Sequence, residues 1–326
     1  MAPLKLDRKT QGVYPISITP FTENGDIDHT SMDRLTDFFL ECGVPGVTLL
    51  GVLGEVSKLS EQESLDLVQR TVKRIGGRAQ VIVGSSHISM RNFKRFTAAV
   101  MDAGAAGIMV APASGLRTEE HVLNYFDAAI ESIGDAVPIV LQDYPQNTGV
   151  YLSVGTLGEL LKRHASIKVI KHEEGSALRK ISRLRAQEGK AGRERVSILV
   201  GNSAIYLPQE LLRGADGANT GVAFPEMLVE VCRLFAAGDI QAGEDLYDLF
   251  LPLVRYEQQP GVGLAIRKEI FRRRGLIACS RVRAPGPSLN NDDHHELGAL
   301  LGRLQGKLRQ YGAESLIAAH PIDHRS

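Results

Sequence analysis

The sequence predicts an α/β fold: an eight-stranded (β/α)8 TIM barrel with a C-terminal helical extension. Eight short β-branched, apolar segments recur about 29 residues apart, which is the length of one strand-and-helix unit. The segments are apolar on both faces, as are the strands of a parallel sheet that is covered on both sides. Eight is also the number of strands at which such a sheet closes into a barrel. An open doubly wound sheet is the alternative.

The predicted strands all lie within the first 225 residues. They are 12–19, 46–51, 80–85, 107–111, 138–144, 167–173, 196–201 and 217–222. Amphipathic periodicity predicts helices between them at 29–43, 60–75, 89–103, 118–133, 153–165 and 177–190. The clearest is 60–75, because Ser60 and Glu63 have the spacing of a capping box and Gly76 provides a stop.

The alternation of strands and helices stops after residue 225. Further helices are predicted at 226–238, 240–257, 262–274 and 294–310, with a Pro-rich interruption at 283–291. We therefore expect two domains: a barrel over 1–225 that carries the active site, and a helical domain over 226–326.

Composition excludes several classes of protein. Lys plus Arg and Asp plus Glu each number 38, so a formal net charge of zero disfavours a nucleic-acid or anionic-membrane partner. The three cysteines, Cys42, Cys232 and Cys279, are too far apart to indicate a disulfide framework or a metal cluster. No signal-peptide core or stretch of ~18 apolar residues is present. We expect a cytoplasmic protein with no cofactor and no metal.

A lysine in the sixth predicted strand is the first candidate for chemistry. Side chains alternate along a strand, so Val169, Lys171 and Glu173 share one face, while Ile170 and His172 share the other. Burial of an unpaired ammonium is costly. A desolvated lysine has a lowered pKa and can form a Schiff base with a ketone. The strand alone leaves an equal alternative, in which the lysine forms a structural ion pair with Glu173 or Glu174.

Three other charged groups are given structural interpretations. A metal site that joins His172 to His87 is disfavoured, because His172 would face the helix layer if Lys171 points inward. The acidic and histidine-rich stretch 292–296 is interpreted as an exposed helix start. The basic run 272–274 is interpreted as a solvated face or a subunit contact.

A second candidate is the turn Gly51-Val52-Leu53-Gly54 at the end of the second predicted strand. Two glycines allow a sharp turn with exposed N–H groups, which suits a small carboxylate or phosphate. A tight turn with no ligand is equally compatible with these residues. Asn219, near the end of the last strand, is a further substrate-binding candidate, because active sites of such barrels lie where the strands end.

Together these motifs resemble the dihydrodipicolinate synthase / N-acetylneuraminate lyase family of class I aldolases over nearly the whole chain. The resemblance rests on Thr19-Pro20-Phe21, Gly25, Asp28, Gly51-x-x-Gly54-Glu55, Leu59-Ser60-x-x-Glu63, Thr148-Gly149, Lys171 and Arg283-x-Pro285. It implies a barrel with a helical domain, usually a homotetramer. It also implies that Lys171 forms a Schiff base with pyruvate or another 2-oxo acid, whose carboxylate is bound by the Gly51–Gly54 turn.

The chain departs from the family's pattern at several positions. Val52 and Leu53 stand where the family has two hydroxyl residues, and Gln142 stands where it has a tyrosine. Asn147 replaces the arginine that binds the second substrate's carboxylate. Ala113 and Ser114 replace the tyrosines of strand four. We therefore expect a Schiff-base lyase or aldolase whose second substrate is not aspartate semialdehyde. A barrel that only binds a 2-oxo acid is the alternative.

Tyr144 is a candidate replacement for the missing tyrosine. It lies two residues after Gln142, so both side chains should face the barrel interior. Its phenol would then donate a proton near the Schiff base, while Gln142 and Asn147 would contact the substrate. The alternatives are that Tyr144 only caps the barrel, or that Pro145 ends the strand early and breaks the alternation.

Overall fold

Eight parallel strands form one sheet in the order β1-β8-β7-β6-β5-β4-β3-β2. The structure is a computed structural model that describes residues 4–175, 178–189 and 194–323. The strands are β1 (Gly12–Val13), β2 (Gly46–Leu49), β3 (Gln80–Gly84), β4 (Gly107–Val110), β5 (Ile139–Asp143), β6 (Ile167–His172), β7 (Ser197–Val200) and β8 (Gly217–Ala218). All eight coincide with predicted strands.

Short contacts between the segment after β1 and β2 bring the sheet edges together. Ile16 and Thr48 form a parallel bridge. The Ser17 N–H donates to the Thr48 carbonyl at 2.9 Å, and the Thr48 N–H donates to the Pro15 carbonyl at 2.8 Å. The sheet is therefore a nearly closed barrel, and the predicted fold class is confirmed.

Helices separate the strands and continue after the barrel. They are α1 (His29–Glu41), α2 (Glu61–Ile75), α3 (Met90–Asp102), α4 (Glu119–Ile133), α5 (Pro145–Thr148), α6 (Val154–Arg163), α7 (Leu178–Arg185), α8 (Leu207–Leu212), α9 (Pro225–Ala237), α10 (Ile240–Tyr256), α11 (Gly263–Arg273) and α12 (Asn291–Tyr311). The predicted helix 177–190 corresponds to α7, and its two end residues lie outside the described residues. No helix in the described part of the chain is long and apolar enough to cross a bilayer.

The predicted division at residue 225 falls immediately before α9. This helix follows β8 and contacts β1, so it covers the barrel in the position of an eighth barrel helix. Helix α9 also packs extensively against α10 of the helical region, so the division into two domains remains a prediction.

Two separate apolar clusters show which strand residues face inward. One fills the barrel and consists of Leu6, Tyr14, Ile82, Ala106, Met109, Val140, Val169 and Leu199. The other lies between the strands and the surrounding helices and includes Leu141 and Ile170. Because side chains alternate along a strand, Gln142 and Lys171 share the inner face with Val140 and Val169.

The basic run 272–274 is less exposed than the sequence predicted. Arg273 and Arg274 are buried, and only Arg272 is substantially exposed. Arg273 Nε lies 2.8 Å from Glu269 Oε1, and Arg274 pairs with Glu226 on α9. The interpretation as a solvated face was wrong for these two arginines, because buried carboxylates from α9 and α11 neutralise them.

The stretch 292–296 lies in the first turns of α12, as predicted. Asn290 and Asp293 form a reciprocal capping box at its start. The helix begins at Asn291, three residues earlier than predicted, because this capping box satisfies its first free N–H groups.

Candidate active site

Lys171 lies in the barrel interior near the C-terminal end of β6. It pairs in register with Gln142 on β5 and Leu199 on β7, and its side chain is 1% exposed. Its Nζ atom lies 2.9 Å from Glu173 Oε1. The structural ion pair considered from sequence is therefore present, and it places a carboxylate directly beside the only atom of Lys171 that could react with a ketone.

Glu173 is held from three sides at the end of the same strand. Besides the contact with Lys171, its Oε1 accepts from Gln142 Nε2 at 2.6 Å, and its Oε2 accepts from the Asn202 N–H at 3.3 Å. Gly201 leaves room for it, since a Cβ atom there would lie 2.2 Å from Glu173 Cγ. Sequence reasoning named Glu173 only as an ion-pair partner. Its position two residues after Lys171 was the signal for a shared site.

Tyr144 lies beside this pair, immediately after β5. The Glu173 N–H donates to the Asp143 carbonyl at 2.9 Å, so the β5–β6 register continues past the strands and brings Tyr144 next to Glu173. The ring is half-buried. Burial raises the pKa of the phenol, as does the Glu173 carboxylate, whereas the Arg267 guanidinium lowers it. Strand β5 ends at Asp143 and helix α5 begins at Pro145, so Tyr144 is the single residue between them.

The turn after β2 forms a short 3₁₀ helix over Val52–Gly54. The first N–H groups of such a turn have no partner within it. Val52 is half exposed, while the Leu53 Cδ1 lies 2.1 Å from where a Cβ of Gly221 would be. Leu53 therefore packs against the segment after β8, and the turn presents apolar side chains where hydroxyls were expected from the family.

The two asparagines predicted to bind substrate occupy different environments. Asn219 is fully buried, and its Oδ1 accepts from Thr48 Oγ1 at 3.0 Å. Its Nδ2 has no hydrogen-bond partner among the described residues. A buried amide donor without a partner is costly, so it is suited to a substrate oxygen. Asn147 is exposed on α5.

His172 faces outward, away from the barrel interior. Its Nδ1 lies 3.0 Å from Asp143 Oδ2, and Lys180 Nζ lies 2.6 Å from the same oxygen. In residues 4–175, 178–189 and 194–323, no group of three or more His, Cys, Asp or Glu side chains is placed to hold a metal ion. Asp143 on β5 therefore links His172 on β6 to Lys180 on α7.

A buried ion-pair cluster holds the turn after β2 from outside the barrel. Glu55 Oε1 lies 2.5 Å from Lys268 Nζ, and Glu55 Oε2 lies 2.9 Å from Lys58 Nζ. Lys268 also donates to the carbonyls of Thr19 and Arg281, both at 2.8 Å. Burial lowers the pKa of Lys268 to about 8, although Glu55 opposes this shift. Helix α11 is thus fastened to the candidate carboxylate-binding turn.

Backbone strain is concentrated at this end of the barrel. The described non-glycine residues with positive φ are Leu50, Glu55, Asn202, Ser203 and Ala204. All lie in the segments that follow β2 and β7. Left-handed backbone costs about 1–3 kcal/mol per non-glycine residue and is retained where surrounding contacts enforce it, often at functional sites.

Comparison with known proteins identifies the family. Residues 9–304 match the model of the dihydrodipicolinate synthetase family. The chain belongs to this family. Its members are lyases of the synthase and dehydratase type, and so is this protein.

Curated relatives of the chain carry two different activities in their names. An L-2-keto-3-deoxyarabonate dehydratase from Azospirillum brasilense is 28% identical over 298 residues, covering 90% of this chain and 94% of that protein. A 4-hydroxy-tetrahydrodipicolinate synthase from Methanocaldococcus jannaschii is 29% identical over 248 residues, covering 75% of this chain and 82% of that protein. The comparisons thus identify the family but do not distinguish between the substrates of these two enzymes.

Solved structures agree with the fold. A dihydrodipicolinate synthase from Rhodopseudomonas palustris has a TM-score of 0.90 and 44% identity, and the match covers 92% of this chain and 99% of that one. A 4-hydroxy-tetrahydrodipicolinate synthase from Methylacidiphilum fumariolicum has a TM-score of 0.84 and 26% identity, covering 94% and 99%.

The Glu55–Lys268 pair yields a stability prediction. Lys268→Met leaves Glu55 with a deficit of buried counter-charge, so we expect the free energy of unfolding to fall by about 3–5 kcal/mol in denaturant titrations. Arg74→Met, which removes exposed pairs with Asp33 and Asp37, serves as the control and should have little effect. Equal losses in the two variants would contradict a special role for the buried pair.

Proposed function

We propose that the protein is a Schiff-base lyase that acts on pyruvate or another 2-oxo acid through Lys171. The contact between Lys171 Nζ and Glu173 Oε1, at 2.9 Å inside the barrel, carries this proposal. An amine must lose a proton before it attacks a carbonyl carbon, and the adjacent carboxylate can accept that proton. The unpartnered Nδ2 of Asn219 and the turn after β2 supply donors for substrate oxygens.

The arrangement supports a reaction at the carbon next to the imine. Attack by the lysine forms a C–N bond, and the former carbonyl oxygen leaves as water, taking the proton that Glu173 had accepted from the ammonium. The product is a protonated imine, and Glu173 is a carboxylate again. Glu173 then removes a proton from C3, and the electron pair moves toward the imine nitrogen to form an enamine. If C4 carries a hydroxyl, the enamine expels it, and the proton held by Glu173 completes the leaving water molecule. Hydrolysis of the remaining imine releases the product and regenerates Lys171.

The surroundings favour a second substrate other than aspartate semialdehyde, or a single 2-oxo acid that loses water. Asn147 is uncharged and exposed, so it offers no cation for a second carboxylate. Val52 and Leu53 provide no hydroxyl for a proton relay, whereas Glu173 provides a carboxylate beside the imine. The match to the Azospirillum dehydratase over 90% of this chain supports testing 3-deoxy-2-oxo sugar acids first.

A protein that only binds a 2-oxo acid is the competing interpretation. It is disfavoured because a lysine that is 1% exposed requires a compensating carboxylate, and a binding protein would gain little from keeping both. The homo-oligomer, usually a tetramer, and the cytoplasmic location implied by the family resemblance remain predictions for this chain.

Covalent trapping tests the proposed lysine. With pyruvate and borohydride, the intact protein should gain the mass of one reduced adduct, and peptide mapping should place it on Lys171. Lys171→Ala should abolish the adduct. Lys168→Ala is the matched control, because Lys168 lies on the same strand but donates outside the barrel to the Ala165 carbonyl. An adduct on Lys168, or none with any 2-oxo acid tried, would contradict the proposal.

Substrate choice can be tested by comparing two reactions. We expect condensation of pyruvate with aspartate semialdehyde to be about 10²–10⁴-fold slower than in the synthases, the usual contribution of one general acid–base group. Dehydration of a 3-deoxy-2-oxo sugar acid should exceed this condensation in kcat/KM. Condensation at the rate of an authentic synthase would show that the chain retains that activity despite Asn147 and Val52.

The roles of Tyr144 and Gln142 can be separated by mutation. Tyr144→Phe should slow turnover after the Lys171 adduct has formed, because it removes the phenol beside Glu173. Gln142→Ala should affect turnover less, since Glu173 keeps its contacts with Lys171 and Asn202. Single-turnover measurements distinguish the steps: borohydride trapping at successive times follows adduct formation on Lys171, and product release without borohydride follows the later turnover. Normal turnover in Tyr144→Phe together with failure of Gln142→Ala would assign the role to Gln142.

A further inference from the structure

A chain of polar contacts connects Glu173 to helix α11 in the helical region. The Asn202 N–H donates to Glu173 Oε2 at 3.3 Å, and Asn202 Oδ1 accepts from Gln258 Nε2. Gln258 Oε1 accepts from Ser203 Oγ, and Ser203 Oγ accepts from Arg267 at 2.5 Å. The chain thus begins at a buried guanidinium and ends on the carboxylate beside Lys171.

We propose that Arg267 is a positioning residue for Glu173, because through Ser203 and Gln258 it holds the 202–204 turn that donates to this carboxylate. The proposal rests on the proposed function, in which Glu173 moves the C3 proton. Arg267 does not itself touch the reacting atoms.

The turn needs external contacts to keep its shape. Asn202, Ser203 and Ala204 are three consecutive non-glycine residues with left-handed backbone. Such residues relax toward extended or right-handed conformations unless their surroundings hold them. Relaxation would redirect the Asn202 N–H away from Glu173. Tyr247 on α10 also binds the turn, through a 2.7 Å hydrogen bond to the Ala204 carbonyl, so the helical region holds both ends of it.

The environment of Arg267 fits a fixed internal role. The side chain is 6% exposed, and its Nε lies 3.6 Å from Glu257 Oε2. Glu257 in turn accepts from the Ala223 N–H at 3.2 Å. Burial raises the pKa of Glu257 to about 7, while the Arg267 cation lowers it. A long charged side chain is ordered here at an entropic and desolvation cost, and it donates to Ser203 in the turn and to Gln258, which binds the turn.

Arg267 also acts on the site through its charge. It lowers the pKa of the Tyr144 phenol, whereas Glu173 raises it, so the phenol lies in the field of both groups. Among the described residues, Lys171 on β6 contacts Glu173 directly and Tyr144 after β5 lies in its field, while Arg267 binds the turn and pairs with Glu257. Gln142 and Asn202 complete the surroundings as neutral donors.

Exchange of the pyruvate methyl protons tests this role without a second substrate. In D₂O, imine and enamine formation replace these protons by deuterium, and NMR follows the rate. The rate is divided by the fraction of protein that pyruvate and borohydride trap at Lys171. The variants are Arg267→Gln, Arg267→Lys and Ser203→Ala, with Arg272→Gln on the same helix as the control. Arg272 is about one-third exposed and pairs with Glu269, away from the turn.

We expect Arg267→Gln and Ser203→Ala to lower exchange per trapped lysine at least tenfold, while trapping continues. Arg267→Gln should also move the pH–rate profile to higher pH, because Arg267 lowers the pKa of the Tyr144 phenol and the variant loses that effect. Ser203→Ala removes only a hydroxyl, so its profile should keep its position. Arg267→Lys should recover part of the rate through a donor to Ser203, and Arg272→Gln should match the wild type.

The outcomes that overturn the proposal are distinct. Wild-type exchange and an unchanged pH profile in both Arg267→Gln and Ser203→Ala would exclude a positioning role. A loss of trapping with normal exchange per trapped lysine would also exclude it. If Arg267→Gln does not fold, as judged by thermal unfolding, the Ser203→Ala result decides alone. Failure of the proposed function would show instead in the wild type, as absence of both trapping and exchange with pyruvate.

Discussion

The ion pair between Lys171 and Glu173 is the constraint on which the rest of the site depends. Removing two charges from water costs several kcal/mol per ion, which mutual attraction repays only with good geometry and further hydrogen bonds. The barrel meets this condition with Gln142 from β5 and the Asn202 N–H after β7. Neighbouring strands therefore supply polar groups at the level where the apolar filling of the barrel ends.

Helix α11 provides the second level of support, and it does so with two adjacent residues. Arg267 contacts the turn after β7, and Lys268 contacts Glu55 in the turn after β2. Successive helical residues project about 100° apart, so one helix reaches two different barrel loops. The helical region thus fixes the turns that follow β2 and β7 at the C-terminal end of the barrel. Its residues do so although they lie far along the chain from these strands.

Much of this organisation follows from local sequence patterns. Alternation along 167–173 was enough to place Lys171 inside and His172 outside, and capping signals located α2. Helices α5 and α8 were not predicted, because four and six residues are too few to display helical periodicity. The left-handed turn at 202–204 contains no glycine, so no local sequence signal predicted its backbone conformation. Arg273 pairs with Glu269 one turn earlier on its own helix, whereas the burial of Arg274 depends on Glu226, which tertiary packing brings from α9.

Gly201 has a consequence for how relatives of this chain can vary. The side chain of Glu173 occupies the volume that any Cβ at position 201 would need. An inward carboxylate at position 173 therefore requires glycine at 201, and a larger residue at 201 is compatible only with a different side chain at 173. A glutamate two residues after the lysine, combined with this glycine directly after the next strand, is a paired sequence marker. It separates relatives that can carry an acid–base group beside the lysine from those that must draw their protons from elsewhere.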